Sequence, residues 1–157
     1  MPVRSISCCL LLTALAACGG RSRPETAASP TVQYLTPYGA PTRPFSPAVR
    51  VGNMLYLSGQ IGTPGANASA NAVVPGGIEA ETRQTMENIK EILQRSGSSM
   101  DRVVKCTVMM ADMREWDRMN AVYVTYFPRN KPARSALGAN GLALGARVEI
   151  ECWATVG

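Results

Sequence analysis

Two short segments near the C-terminus hold residue types that can do chemistry together: Lys131-Pro132-Ala133-Arg134-Ser135 and, after a glycine-rich run, Arg147-Val148-Glu149-Ile150-Glu151. Arg134 and Glu149 stand fifteen positions apart, each in a strand-like setting, so they can converge on one pocket. A guanidinium grips a carboxylate through two parallel hydrogen bonds, and a glutamate can orient or deprotonate a water. That pairing suits hydrolysis of a small carboxylated molecule. A plainer arrangement uses the same residues: Arg134 forming an ion pair with Glu149 or Glu151 across adjacent strands.

What the chain lacks narrows the chemistry further. With no histidine, it has neither a histidine-dependent triad nor a histidine-rich zinc site, and no paired-cysteine spacing substitutes for them. The formal charge of +5 comes from basic residues spread along the chain without a block. That distribution reads as solvated surface and argues against nucleic acid as a partner, while mildly favouring small anions.

The N-terminus reads as an address. Arg4 gives a short basic start, residues 6–16 are mostly apolar, and Leu15-Ala16-Ala17-Cys18 resembles the lipobox of bacterial lipoproteins. The apolar run is too short for a membrane-spanning helix, which needs about 20 residues. The expectation is a signal peptide at 1–17, cleavage before Cys18, and acylation of the Cys18 thiol. A multiply acylated cysteine gives stable membrane attachment. Glycine at 19 and 20, with no acid there, favours the outer membrane, on its periplasmic face. Loss of Arg4 with the signal lowers the charge to +4. Residues 18–32, rich in glycine, serine, alanine and proline, form a flexible tether, and residues 33–157 form a single domain. Cys8 and Cys9 leave with the signal, and Cys106 and Cys152 sit in apolar runs where a small buried thiol is the commoner state.

Within the domain, Val49-Arg50-Val51 and residues 54–59 read as a hairpin turning at Gly52-Asn53. Residues 61–75 read as a loop. Ile78, Thr82, Met86, Ile89 and Leu93 recur at helical spacing, with Glu79/Arg83 and Glu91/Arg95 as i,i+4 pairs and Gly97 as the stop. Residues 103–110 predict a strand. Asp112 can cap a second helix whose stripe is Trp116, Met119, Val122, Tyr123 and Tyr126, closed by Pro128. A short strand at 135–138, a permissive loop and a last strand at 146–156 complete the order ββαβαββ. This predicts an α+β sheet with both helices on one face. Asn120 reads as a backbone cap or bridge, and Trp116 and Tyr123 as core or subunit-contact aromatics.

Taken as a set, Ser58-Gly59-Gln60-Ile61, Pro132-Ala133-Arg134-Ser135 and Val148-Glu149-Ile150-Glu151 resemble the RidA family (YjgF/YER057c/UK114) of enamine and imine deaminases. Pro44 to Val49, Gly52-Asn53, Thr82 to Asn88, Val103-Val104-Lys105 and Met119-Asn120 match it in the same order. The resemblance covers residues 43–156. It implies a chorismate-mutase-like fold, a homotrimer with clefts between neighbouring subunits, and neither metal nor organic cofactor. It also implies that Arg134 binds the substrate carboxylate, that Glu149 acts near the reacting carbon, and that the backbone at Gly59 and Ala136 lines the pocket with Phe45 as an aromatic wall. The substrate so implied is a small carboxylated enamine or imine such as 2-aminoacrylate. Older associations of the family with ribonuclease activity find no support in the composition.

Three positions and one segment depart from the family's pattern. Phe45 stands where many members have tyrosine, Ala136 where many have cysteine, Gly62 where proline is usual, and residues 137–145 lack an arginine-leucine-proline run. Two readings therefore stay open: a lipid-anchored deaminase, or a non-catalytic metabolite-binding protein on the same trimer.

Overall fold

The computed structural model describes residues 29–39, 43–66 and 71–157. The expected signal peptide, Cys18 and most of the tether lie outside the described residues. Nine main elements occur in order: β1 (Val32–Leu35), β2 (Ala48–Val51), β3 (Met54–Leu57), β4 (Gln60–Ile61), α1 (Gly77–Arg95), β5 (Val103–Met110), α2 (Trp116–Tyr123), β6 (Ala133–Gly138) and β7 (Val148–Thr155). The expected α+β class holds. The order ββαβαββ lacked β1 and β4: β1 is an exposed edge strand, and β4 has only two residues. Val32, placed in the expected tether, already pairs with Val51 as the first residue of β1.

The sheet runs β1-β2-β3-β7-β5-β6, with β4 also on β7. Every pairing is antiparallel except β5 with β6, the two strands joined through α2. β7 is the spine. Val148, Ile150, Cys152 and Ala154 are fully buried on one face, and Glu149, Glu151, Trp153 and Thr155 alternate onto the other.

Both helices cover the first face. α1 buries Ile78, Thr82, Met86, Ile89 and Leu93 as its spacing required. It ends where Gly97, at φ 79°, lets the Ser98 N–H reach back to the Leu93 carbonyl at 2.8 Å. Glu91 and Arg95 pair at 2.9 Å as expected. Glu79 instead turns to Arg118 of α2, which donates to both its oxygens at 2.7 Å, tying the helices together. The second helix starts on an Asp112 cap, where the side chain accepts from the Arg114 N–H at 2.9 Å. It then runs as a 3-10 turn, α2, and a second 3-10 turn rather than one helix.

Cys106 and Cys152 are joined in a disulfide, not held as separate thiols. β5 and β7 place them as direct antiparallel partners on the buried face, with Cα atoms 4.1 Å apart. Register decides this, and register between strands forty-six residues apart is not visible in either strand alone.

The opposite sheet face is uncovered in a single chain. Tyr34 and Trp153 are exposed there, and Tyr56 meets Trp153 edge-on at 5.1 Å. Among the described residues, no helix is long and apolar enough to cross a membrane.

Closing a loop of this length constrains the unfolded chain, so reduction or the paired change Cys106→Ala/Cys152→Ala is expected to cost about 2–4 kcal/mol. Urea denaturation with and without a reductant measures it.

Candidate active site

The Ser58-Gly59-Gln60-Ile61 segment is a bulge. β3 and β4 both lie along β7, but Tyr56 opposes Trp153 while Gln60 opposes Ile150, so the register slips by one residue between them. Three contacts hold the extra residue in place. The Ser58 hydroxyl donates to the Ser46 carbonyl at 2.7 Å, and buried Gln60 donates through Nε2 to the carbonyls of Ser58 and Gly59, both at 3.0 Å. Asn88 of α1 pins the chain just beyond the bulge, donating to the Ile61 and Thr63 carbonyls at 3.1 and 3.0 Å.

Glu149 lies against this bulge. Its carboxylate occupies the space beside Gly59 that a Cβ would need, so only glycine leaves room for it. Partial burial raises the Glu149 carboxyl above the ordinary carboxylate range, and the nearby Glu151 charge pushes it the same way. Phe45 is adjacent in sequence to Ser46, the residue that Ser58 anchors, and its exposed ring carries the Arg43 guanidinium at 5.8 Å. Glu149, Gly59 and the Phe45 segment thus make one cluster.

Arg134 belongs to a second. It sits on β6 directly beside Cys106, and its Nη1 donates to Asn120 Oδ1 at 2.7 Å. The guanidinium lies over the Trp116 and Tyr123 rings, 4.9 and 4.8 Å from their centroids. Asn120 and the two aromatics of α2 therefore position the arginine, a role their sequence setting did not reveal. Burial pushes the Tyr123 phenol up to about 12, against the opposing pull of Arg134. Among the described residues no carboxylate pairs with Arg134. Beside it opens a cleft of about 540 Å³ lined by Asn120, Tyr123, Val124, Phe127, Lys131 and Arg134. Ala136 lies two residues further along β6, half-buried against the core.

One chain does not bring the two clusters together. Arg134 is in register with Cys106, whose disulfide to Cys152 marks the helix-covered face, whereas Glu149 is three residues from Cys152 and faces the other way. β5 also stands between them. Across two strand spacings and three residues along, the Cα atoms are separated by roughly 14 Å. The direct ion pair of Arg134 with Glu149 or Glu151 is thereby excluded within a chain.

The family described as Endoribonuclease L-PSP matches residues 37–156. This chain belongs to that family, the RidA/YjgF group. Over 114 residues it is 42% identical to a mouse protein named 2-iminobutanoate/2-iminopropanoate deaminase, covering 73% of this chain and 82% of the mouse protein. The crystal structure of the E. coli YjgF product superimposes with a TM-score of 0.66 at 31% identity, covering 74% of this chain and 91% of that one. E. coli TdcF with bound serine gives a TM-score of 0.67 at 27% identity, over 74% of this chain and 91% of its own. Among the described residues, no group of three or more histidine, cysteine or acidic side chains is placed to hold a metal ion.

Because the folded-state pKa of Glu149 is raised, its ionised form costs stability above that pKa, and the cost disappears below the unfolded value. Glu149→Gln is therefore expected to raise the Tm at neutral pH and to change it little near pH 3, and Glu151→Gln to lower the Glu149 midpoint in a carboxyl NMR titration.

Proposed function

We infer that this RidA-family chain is a deaminase that hydrolyses reactive enamine and imine acids of the 2-aminoacrylate type to 2-keto acids and ammonia. The observation that carries the reading is Arg134: a guanidinium fixed by Asn120 and two aromatic rings, beside an open cleft, with no carboxylate partner among the described residues. Such a fork is complementary to the carboxylate of a small 2-imino acid. The serine bound to TdcF is a molecule of the same size and carries the same group.

The chemistry asks little of the protein. An enamine gains a proton on carbon to become an imine, water adds across C=N, and the carbinolamine collapses to a ketone as ammonia departs. Imines already hydrolyse in water, so positioning and proton transfer suffice. Arg134 holds the carboxylate. Glu149 takes a proton from the attacking water and returns it to the leaving nitrogen. Phe45 and the backbone at Gly59 and Ala136 line the site around them.

Since one chain keeps Arg134 and Glu149 on opposite sheet faces, the pocket needs a neighbouring copy. We propose the homotrimer, with Arg134 of one subunit facing Glu149 of the next. The uncovered sheet face with Tyr34, Trp153 and Leu137 exposed supports such a contact. The word endoribonuclease in the family description has little to draw on in this chain. Arg114, Arg118, Arg129 and Arg147 are each paired with an acid and so are not free to bind a phosphate backbone.

For location we propose export and lipid anchoring through Cys18. The Cys106–Cys152 disulfide supports this, because such bonds persist in oxidising compartments. Labelled palmitate should enter the wild-type protein and not Cys18→Ala.

Arg134→Ala is expected to cost about 2–5 kcal/mol in kcat/KM with the fold retained, and Arg134→Lys to restore little of it. Gly59→Ala, which displaces Glu149, should lower kcat on the order of a hundredfold. Ammonia release in a coupled amino-acid oxidase assay reads both, and unchanged turnover by Arg134→Ala would rule out the clamp. Light scattering should return three times the mass of one chain.

A further inference from the structure

The cleft beside Arg134 has a second cation. Lys131 lines it three residues upstream, and no aspartate or glutamate is among its lining residues. Among the described residues Lys131 has neither a hydrogen-bond nor an ion-pair partner. The other lysines of the domain differ: Lys90 pairs with Glu87 at 3.2 Å, and Lys105 donates to the Ser135 hydroxyl at 2.7 Å. We propose that Lys131 is a specificity-determining residue that binds a second acidic group, so that the cleft prefers 2-imino dicarboxylates to 2-imino monocarboxylates.

The inference rests on the deaminase reading and extends it to substrate class. Geometry supports the assignment in three ways. Lys131 precedes Pro132, which holds its backbone extended and sets the direction in which its side chain leaves the chain. The Cα atoms of Lys131 and Arg134 lie at most about 10 Å apart, within what a flexible lysine stem spans when both heads close on one small molecule. The same cleft is lined by apolar Val124, Phe127 and Pro132, which suit the methylenes that separate two carboxylates. The cleft, at about 540 Å³, has room beyond that needed for a three-carbon acid.

Roles differ between the two cations. Arg134 is rigid and bidentate, fitted to fix the carboxylate next to the reacting carbon. Lys131 is exposed and carries its ammonium on a flexible stem, fitted to a group whose position varies with chain length. A neutral substrate leaves Lys131 in water, so discrimination appears as a gain for the acidic class and not as exclusion of the other.

The test compares kcat/KM of the full-length protein for imines generated by oxidases from acidic and from neutral amino acids, with released ammonia timed in both. Lys131→Met keeps the apolar stem and is expected to lower the acidic-to-neutral ratio on the order of tenfold, as for loss of one charge-assisted contact. Lys131→Arg should restore most of it, and raising ionic strength should erode the wild-type ratio. Lys90→Met, on the outer side of α1, should leave the ratio where it was. Turnover of both classes with a ratio that Lys131→Met does not change overturns the proposal while leaving the deaminase reading intact. Absence of turnover for every imine overturns the deaminase reading and this one with it.

Discussion

Side-chain alternation along β6 and β7 is the constraint on which the site depends. A strand can offer a residue to one face of its sheet only, and the Cys106–Cys152 bond identifies which face is the covered one. That bond fixes the orientation of every neighbour: Arg134 points to the helices and Glu149 away from them. The helix-covered face therefore cradles the arginine, while β7 presents Glu149 to the opposite face. Under the proposed assignment, catalysis by both groups requires that the open face of one subunit meet the helix-side cleft of another, so assembly and chemistry become one property.

The motif segments make sense on those terms. Gly59 is small because a carboxylate lies against it, Gln60 is polar because two bulge carbonyls would otherwise be buried unpaired, and Ser58 ties the bulge to the Phe45 segment. Gly62 has a comparable reason. A Cβ there would come within 2.9 Å of the Glu81 Cα, so the packing of α1 in this chain leaves no space for a side chain at that position. Asn88, buried and bridging two loop carbonyls, supports the same turn from the helix side.

Local pattern was enough to read the hairpin at Gly52-Asn53, the stripe of α1, and the strands β5 and β7, because each carries its own period and its own stop. The class of the fold came from them. Features fixed by pairing across the chain stayed hidden: the disulfide, the Glu79–Arg118 bridge, and the two-residue β4 all depend on which strand or helix lies alongside. Arg134 and Glu149 were legible as chemistry, through residue type and motif. Their separation onto two faces was not, because it needs the register of three strands. Asn120, Trp116 and Tyr123 had no visible signal beyond a helical stripe, and only the βαβ crossover of β5, α2 and β6 brings that stripe over Arg134.

Charge management separates Arg134 from the surface arginines. Arg118 and Arg147 share Glu115, with Glu79 and Glu81 completing a chain of ion pairs from α1 to the start of β7, and that chain fastens the layers. Each of those guanidiniums spends its donors on a carboxylate of the same molecule. Around Arg134 the compensation comes from two ring faces and one amide oxygen, which stabilise the cation without neutralising it. An acid in that position would have secured the arginine as firmly and closed the site to any other carboxylate. Aromatic faces secure it and leave a positive charge facing the cleft, which is the electrostatic condition for holding a small anion beside a water.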